Sequence, residues 1–193
     1  MTIKKEKVAK FFRIITVPPV LITALIIILL LSGDDIFGGF PDIIISFLLL
    51  GIIPILAYPL QQLLPGFKER GREGQRKLAF ILNIIGYTLA VILGFMMNVQ
   101  RKLMLIYITY FLSVVILTIF NLLHIRASGH ACSATGPLIF LIYYTGWKAL
   151  LPCLITGAAI VWSSLELKRH TRSELAVGAL CCLAAFLISQ CII

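Results

Sequence analysis

The sequence predicts an all-α, polytopic membrane helical bundle with six to seven transmembrane helices, and three observations carry that expectation. Hydrophobic residues make up 60% of the 193 residues and charged ones only 13%, roughly half the share found in soluble domains. Uncharged windows long enough to cross a hydrocarbon core of about 30 Å recur along the chain. No linker, low-complexity segment or internal repeat separates them, so residues 1–193 read as a single transmembrane domain.

The first window, 14–32, follows the basic start MTIKKEKVAKFFR. No small-residue cleavage site comes after it, so it reads as an uncleaved helix rather than a signal peptide. The loop GDDIFGGFPD leads to the second window, 43–64. Asp34-Asp35 in that loop could chelate a metal, but no second acidic motif accompanies the pair, and a solvated turn is the simpler reading. Windows 78–98 and 103–123 come next, followed by shorter ones at 131–146, 149–165 and 175–193. Pro18-Pro19, Pro54, Pro59 and Pro152 are expected to kink or interrupt their helices, which membrane helices tolerate when neighbours satisfy the freed backbone groups. The five cysteines fall mostly inside apolar windows, in odd number and without zinc spacing, and read as small hydrophobes.

With seven spans, the charges sort onto one face. The N-terminus supplies Lys4, Lys5, Lys7, Lys10 and Arg13; the loop after the second window supplies Lys68, Arg70, Arg72, Arg76 and Lys77. Arg126, and then Lys168, Arg169 and Arg172, complete a set of 14 of the 17 basic residues. The positive-inside rule places that face in the cytosol. The formal charge of +9 therefore reflects topology and anionic lipid headgroups rather than nucleic acid, because the cations sit in short loops and the aromatics within the spans. All three histidines, His124, His130 and His170, share the face. Orientation alone calls for lysine and arginine, so the face also reads as a site.

Three polar clusters mark it. In HIRASGHACS, Ser128 is placed to cap the helix that starts after it. A helix N-terminus offers free N–H groups and a positive dipole end to an anion, and Gly129 would let a ligand approach the backbone. A plain cap beside an interfacial His130 is the alternative. In LKRHTRSE, Thr171 and Glu174 have capping-box spacing, which by itself explains both. It leaves His170 unexplained, and a carboxylate beside an imidazole fixes its tautomer and frees the other nitrogen for attack. In KERGREGQRK, five cations within ten residues serve as an orientation signal or as phosphate donors. Jointly they suggest phosphoryl transfer to His170, with His130 protonating the departing oxygen.

Ala127-Ser128-Gly129-His130 resembles the Pro-Ser-Gly-His motif of the type 2 phosphatidic acid phosphatases, relatives of the vanadium haloperoxidases. Ser163-Ser164, five residues, His170, three residues and Glu174 resemble that family's Ser-Arg-x5-His-x3-Asp motif in order and spacing, and Gly178 opens a run like its final helix. The likeness covers about residues 65–193. It implies a phosphatidic acid phosphatase type 2-like core with His170 as nucleophile, Glu174 orienting it and His130 as general acid. Ser128 and Gly129 would contact phosphate. The Lys-x6-Arg-Pro motif is met only approximately, by Lys68 and Arg76 one residue too far apart, or by Arg70 and Lys77 with the types exchanged. Ser164 stands where the family has arginine, with Arg126 or Arg169 as candidate substitutes; Glu174 replaces Asp and Ala127 replaces Pro.

The implied activity is metal-independent hydrolysis of a phosphomonoester or pyrophosphate on a membrane lipid, such as phosphatidic acid, phosphatidylglycerol phosphate or an isoprenyl diphosphate, without a cofactor. Its partners would be that phosphorylated lipid and the bilayer, in the cell membrane. Family resemblance implies an extracytoplasmic site, against the cytosolic one that the charges predict. The substitution at Ser164 motivates the alternative of a member that binds phosphorylated lipids without hydrolysis. A transporter ranks third, because no span carries a mid-membrane charge.

Overall fold

The computed structural model describes residues 3–33 and 35–193, and its secondary structure is helical throughout. Asp34 lies outside the described residues; Asp35 is exposed. The chain opens with α1 (Ile3–Ile15) and α2 (Pro18–Leu31), which meet at a 52° bend. Pro18 and Pro19 occupy the first turn of α2, where missing N–H groups cost nothing, but they cannot continue the hydrogen-bond ladder of α1. The break therefore falls at Thr16-Val17, inside the window 14–32. Residues 3–15 form a separate helix that the hydropathy window had partly merged with the first span. The side chain of Thr16 donates to the Phe12 carbonyl at 2.7 Å, satisfying one acceptor left open where α1 ends.

The second window is α3 (Phe40–Ser46), a π-helical turn Phe47–Ile52, α4 (Ile53–Ile55) and α5 (Ala57–Leu63), with a 42° bend before α5. The wide turn precedes Pro54, whose ring cannot sit in a regular α-helical ladder. After the short α6 (Pro65–Lys68) come α7 (Gly71–Met96), α8 (Arg101–Leu122) and α9 (Gly129–Thr145). A 3₁₀ turn at Gly146–Ala149 leads to α10 (Leu150–Glu166), and α11 is Arg172–Ile192.

Four helical stretches are long and apolar enough to cross a membrane, or up to six if each bent pair is one span. The difference from the expected six to seven arises in Gly129–Glu166, which counts as one stretch of 38 residues. It holds two 17-residue helices, each about 25 Å long. Gly146, at φ +73°, turns the chain between them, and Gly157 of α10 lies beside Leu138 of α9, so the pair folds back as an antiparallel hairpin.

Helix α8 is the core. Residues 103–110 are all buried, an apolar surface on every side that suits a helix enclosed by others. It packs against α7 and α11. Close approach comes from small residues, as expected where helices meet in lipid. A Cβ at Gly94 would fall 2.9 Å from the Tyr107 ring, and one at Gly86 2.5 Å from the Leu49 carbonyl. A Cβ at Gly178 would collide with the Ser128 carbonyl, so α11 passes directly over the start of α9.

Candidate functional site

One end of the bundle collects the start of α9, the end of α10, the start of α11, the start of α7 and the end of α1. Ser128 caps α9 as the sequence suggests: it is fully buried and its Oγ accepts from Ala131 N at 3.2 Å. Gly129 and His130 supply the other N–H groups of that first turn. A Cβ at Gly129 would make only ordinary contact with Leu117 at 3.5 Å, so space alone does not require glycine there. Ser128 N donates to the Glu174 carbonyl at 2.8 Å, which ties the α9 cap to the first turn of α11.

The α10–α11 connection explains how His170 is aimed. Helix α10 ends with Arg169 N bonding back to Ser164 O and Lys168 N to Leu165 O, a closure that puts Lys168 at φ +49°. Two residues later, Thr171 starts α11 with a complete capping box: Glu174 N donates to Thr171 Oγ1 at 3.2 Å, and Thr171 N to Glu174 Oε2 at 3.1 Å. That same Oε2 accepts from His170 Nδ1 at 3.2 Å. Cap and imidazole partner are therefore one carboxylate oxygen, so the capping box and the His170 contact coexist. With Nδ1–H engaged, the lone pair resides on Nε2. Burial lowers the His170 pKa below its ordinary 6.5; Arg13 and Arg76 push the same way, while Glu174 opposes them.

His130 is within electrostatic reach of His170 and of Arg13. Its Nε2 is buried and has no hydrogen-bond partner among the described residues. An unpaired buried donor or acceptor costs about 1–3 kcal/mol, which a ligand or water would relieve.

The cations divide differently from the sequence expectation. Arg76 stands near Arg13 and His170. Lys68 is exposed on α6, and no hydrogen bond or ion pair joins it to the cluster among the described residues. Arg72, not Lys68, stands close to Arg13. Arg126 is exposed and acts on Glu174, not on Ser164. Among the described residues neither Arg126 nor Arg169 bonds Ser164; instead Arg13 Nη1 donates to Ser164 Oγ at 3.1 Å. That contact spans 151 residues, and no local spacing could announce it. The available signal was Arg13 itself, a lone arginine at the apolar end of α1. His124 closes α8 at φ +60°, with its own N–H bonded to Asn121 O and Ile125 N to Phe120 O, a structural role.

Gly71 and Gly74 position the α7 arginines. Gly71 adopts φ +52°, and a Cβ on Gly74 would strike the Phe67 carbonyl, so α7 begins tight against α6. Buried Gln61 holds this corner, donating to Gly71 O at 3.0 Å.

The arrangement is chemically a carboxylate-oriented imidazole, a second imidazole with an unpaired nitrogen, and several cations at a helix N-terminus. Compared with family models, with curated proteins and with solved structures, the chain matches none.

Proposed function

We propose that the protein is a membrane lipid phosphatase of the type 2 phosphatidic acid phosphatase kind, hydrolysing a phosphomonoester or pyrophosphate of a membrane lipid. The observation that carries this reading is the grouping of the His170–Glu174 pair with His130 and the arginines at one bundle end. In the first step His170 Nε2 attacks phosphorus, and the bond to the lipid oxygen breaks. His130, which takes up a proton once the anionic phosphoryl group beside it offsets the burial and the nearby cations that favour its neutral form, gives that proton to the leaving oxygen, and the arginines and helix-end N–H groups hold the charge on the transferring group. In the second step water attacks the phosphohistidine, neutral His130 takes the water proton, and free phosphate leaves with His170 restored. Glu174 keeps the Nδ1 proton in place throughout. In this reading α9 and α10 each cross the bilayer, giving seven crossings and a site at the headgroup level where the lipid tail stays in hydrocarbon.

Phosphate release from phosphatidic acid, phosphatidylglycerol phosphate and isoprenyl diphosphates by the purified protein, with a chelator present, tests the proposal. His170→Ala is expected to lower the rate by at least about 10³-fold, the scale of losing a nucleophile. Equal release by both proteins sinks the assignment. Binding of phosphorylated lipids without any release favours the non-hydrolysing alternative.

A further inference from the structure

Arg13 is left unexplained by packing or capping. It is half-buried, and among the described residues no carboxylate pairs with it. Its neighbours are cations and neutral donors: Arg72 and Arg76 of α7, His130 of α9, His170 beyond α10, and Tyr58 of α5. Glu174, the carboxylate that holds His170, is already engaged by His170 and Thr171 N. Guanidiniums crowded together without an anion repel one another, most strongly where water is partly excluded. Of the five guanidinium N–H groups, the described contacts use one, on Ser164. The remaining planar fork matches two oxygens of a phosphoryl group.

Helix α1 is built to hold this side chain in place. Ala9, Phe12, Arg13 and Thr16 follow i, i+3, i+4, i+7 spacing on one face. Ala9 is fully buried, and Phe12 meets Trp162 of α10 edge-on at 6.1 Å. Buried Ser164, one turn from the end of α10, then anchors the guanidinium.

We propose that Arg13, carried in by the N-terminal helix, is a phosphate-binding residue of this site, donating to the non-bridging phosphoryl oxygens of the ligand. The identity of that ligand as a lipid substrate rests on the phosphatase reading above; the phosphate contact itself rests on the cation cluster.

The test titrates inorganic phosphate into the purified full-length protein and reads its melting temperature, alongside KM for whichever lipid phosphate is hydrolysed. Phosphate is expected to stabilise the wild type and Lys10→Gln alike, since Lys10 is exposed and pairs with Glu6 on α1. Arg13→Gln is expected to weaken phosphate binding and raise KM by about tenfold or more, the worth of a lost charge-assisted bond. Arg13→Lys should fall between them, because it keeps the charge and loses the fork. If Arg13→Gln does not fold, Arg13→Lys carries the comparison. Wild-type phosphate affinity in a folded Arg13 variant overturns the proposal, and so does a wild type that phosphate fails to stabilise. Arg13-dependent stabilisation in a protein that hydrolyses no lipid phosphate leaves this contact standing and removes the phosphatase reading instead.

Discussion

In the proposed mechanism His170 attacks only in its neutral form, so its surroundings predict a pH profile. Burial lowers its pKa from 6.5, reinforced by Arg13 and Arg76, and activity should rise with pH through that lowered value and fall again once His130 loses the proton it must donate. The acid limb of kcat/KM is therefore expected below 6.5. Stability follows the same sign. As pH falls below the unfolded value, the unfolded chain binds a proton that folded His170 resists, so stability declines until the folded value is passed. His170→Gln should reduce the slope of that part of the melting-temperature profile, the remainder coming from buried His130, and an acid limb above 6.5 would contradict the assignment. At this scale the sequence was legible wherever partners are local. Thr171, Glu174 and His170 sit within one turn, and Ser128 precedes its helix directly. Arg13 was not legible, because its partner is set by how α1 lies on α10.

The helices meet where glycine removes a side chain, and Gly178 is the contact on which the site depends. Gly178→Ala would drive a methyl group into the Ser128 carbonyl, parting the α9 cap from α11. It is expected to destabilise the protein by about 1–3 kcal/mol, as overpacking does, and to lower activity with it. Gly157→Ala is the control: its nearest neighbour is Leu138 at an ordinary 3.7 Å, so its chemical-denaturation midpoint in detergent should be unchanged or raised. Comparing the two midpoints separates close packing from helix propensity. Most elements could be read from apolar windows and prolines. What blurred them was the window itself: Phe11, Phe12, Ile14 and Ile15 add apolar weight to α1, hiding the break that Pro18-Pro19 imposes two residues later.

For the whole molecule, the charges still sort onto one face when those assigned to the proposed site are left out. Setting aside Arg13, Arg72, Arg76 and Arg126 leaves ten basic residues on that face against three on the other, so the positive-inside rule still predicts a cytosolic site. Labelling of intact cells with a membrane-impermeant maleimide tests this in a Cys191→Ser background, since Cys191 is the exposed thiol among the five. Trp147→Cys, at the highly exposed turn of the α9–α10 hairpin, is expected to react from outside, and Lys68→Cys only after permeabilisation. The reverse pattern places the site outside. The seating of Ser128 also changes the standing of the segment that leads to it. Its N–H is bonded to the Glu174 carbonyl and its backbone is pressed on Gly178, so α9 docks on α11 by main-chain contact, and residues 126–127, beyond the closure of α8, act as a tether. A longer tether would add only a slowly growing closure entropy, and the two histidines would keep their separation.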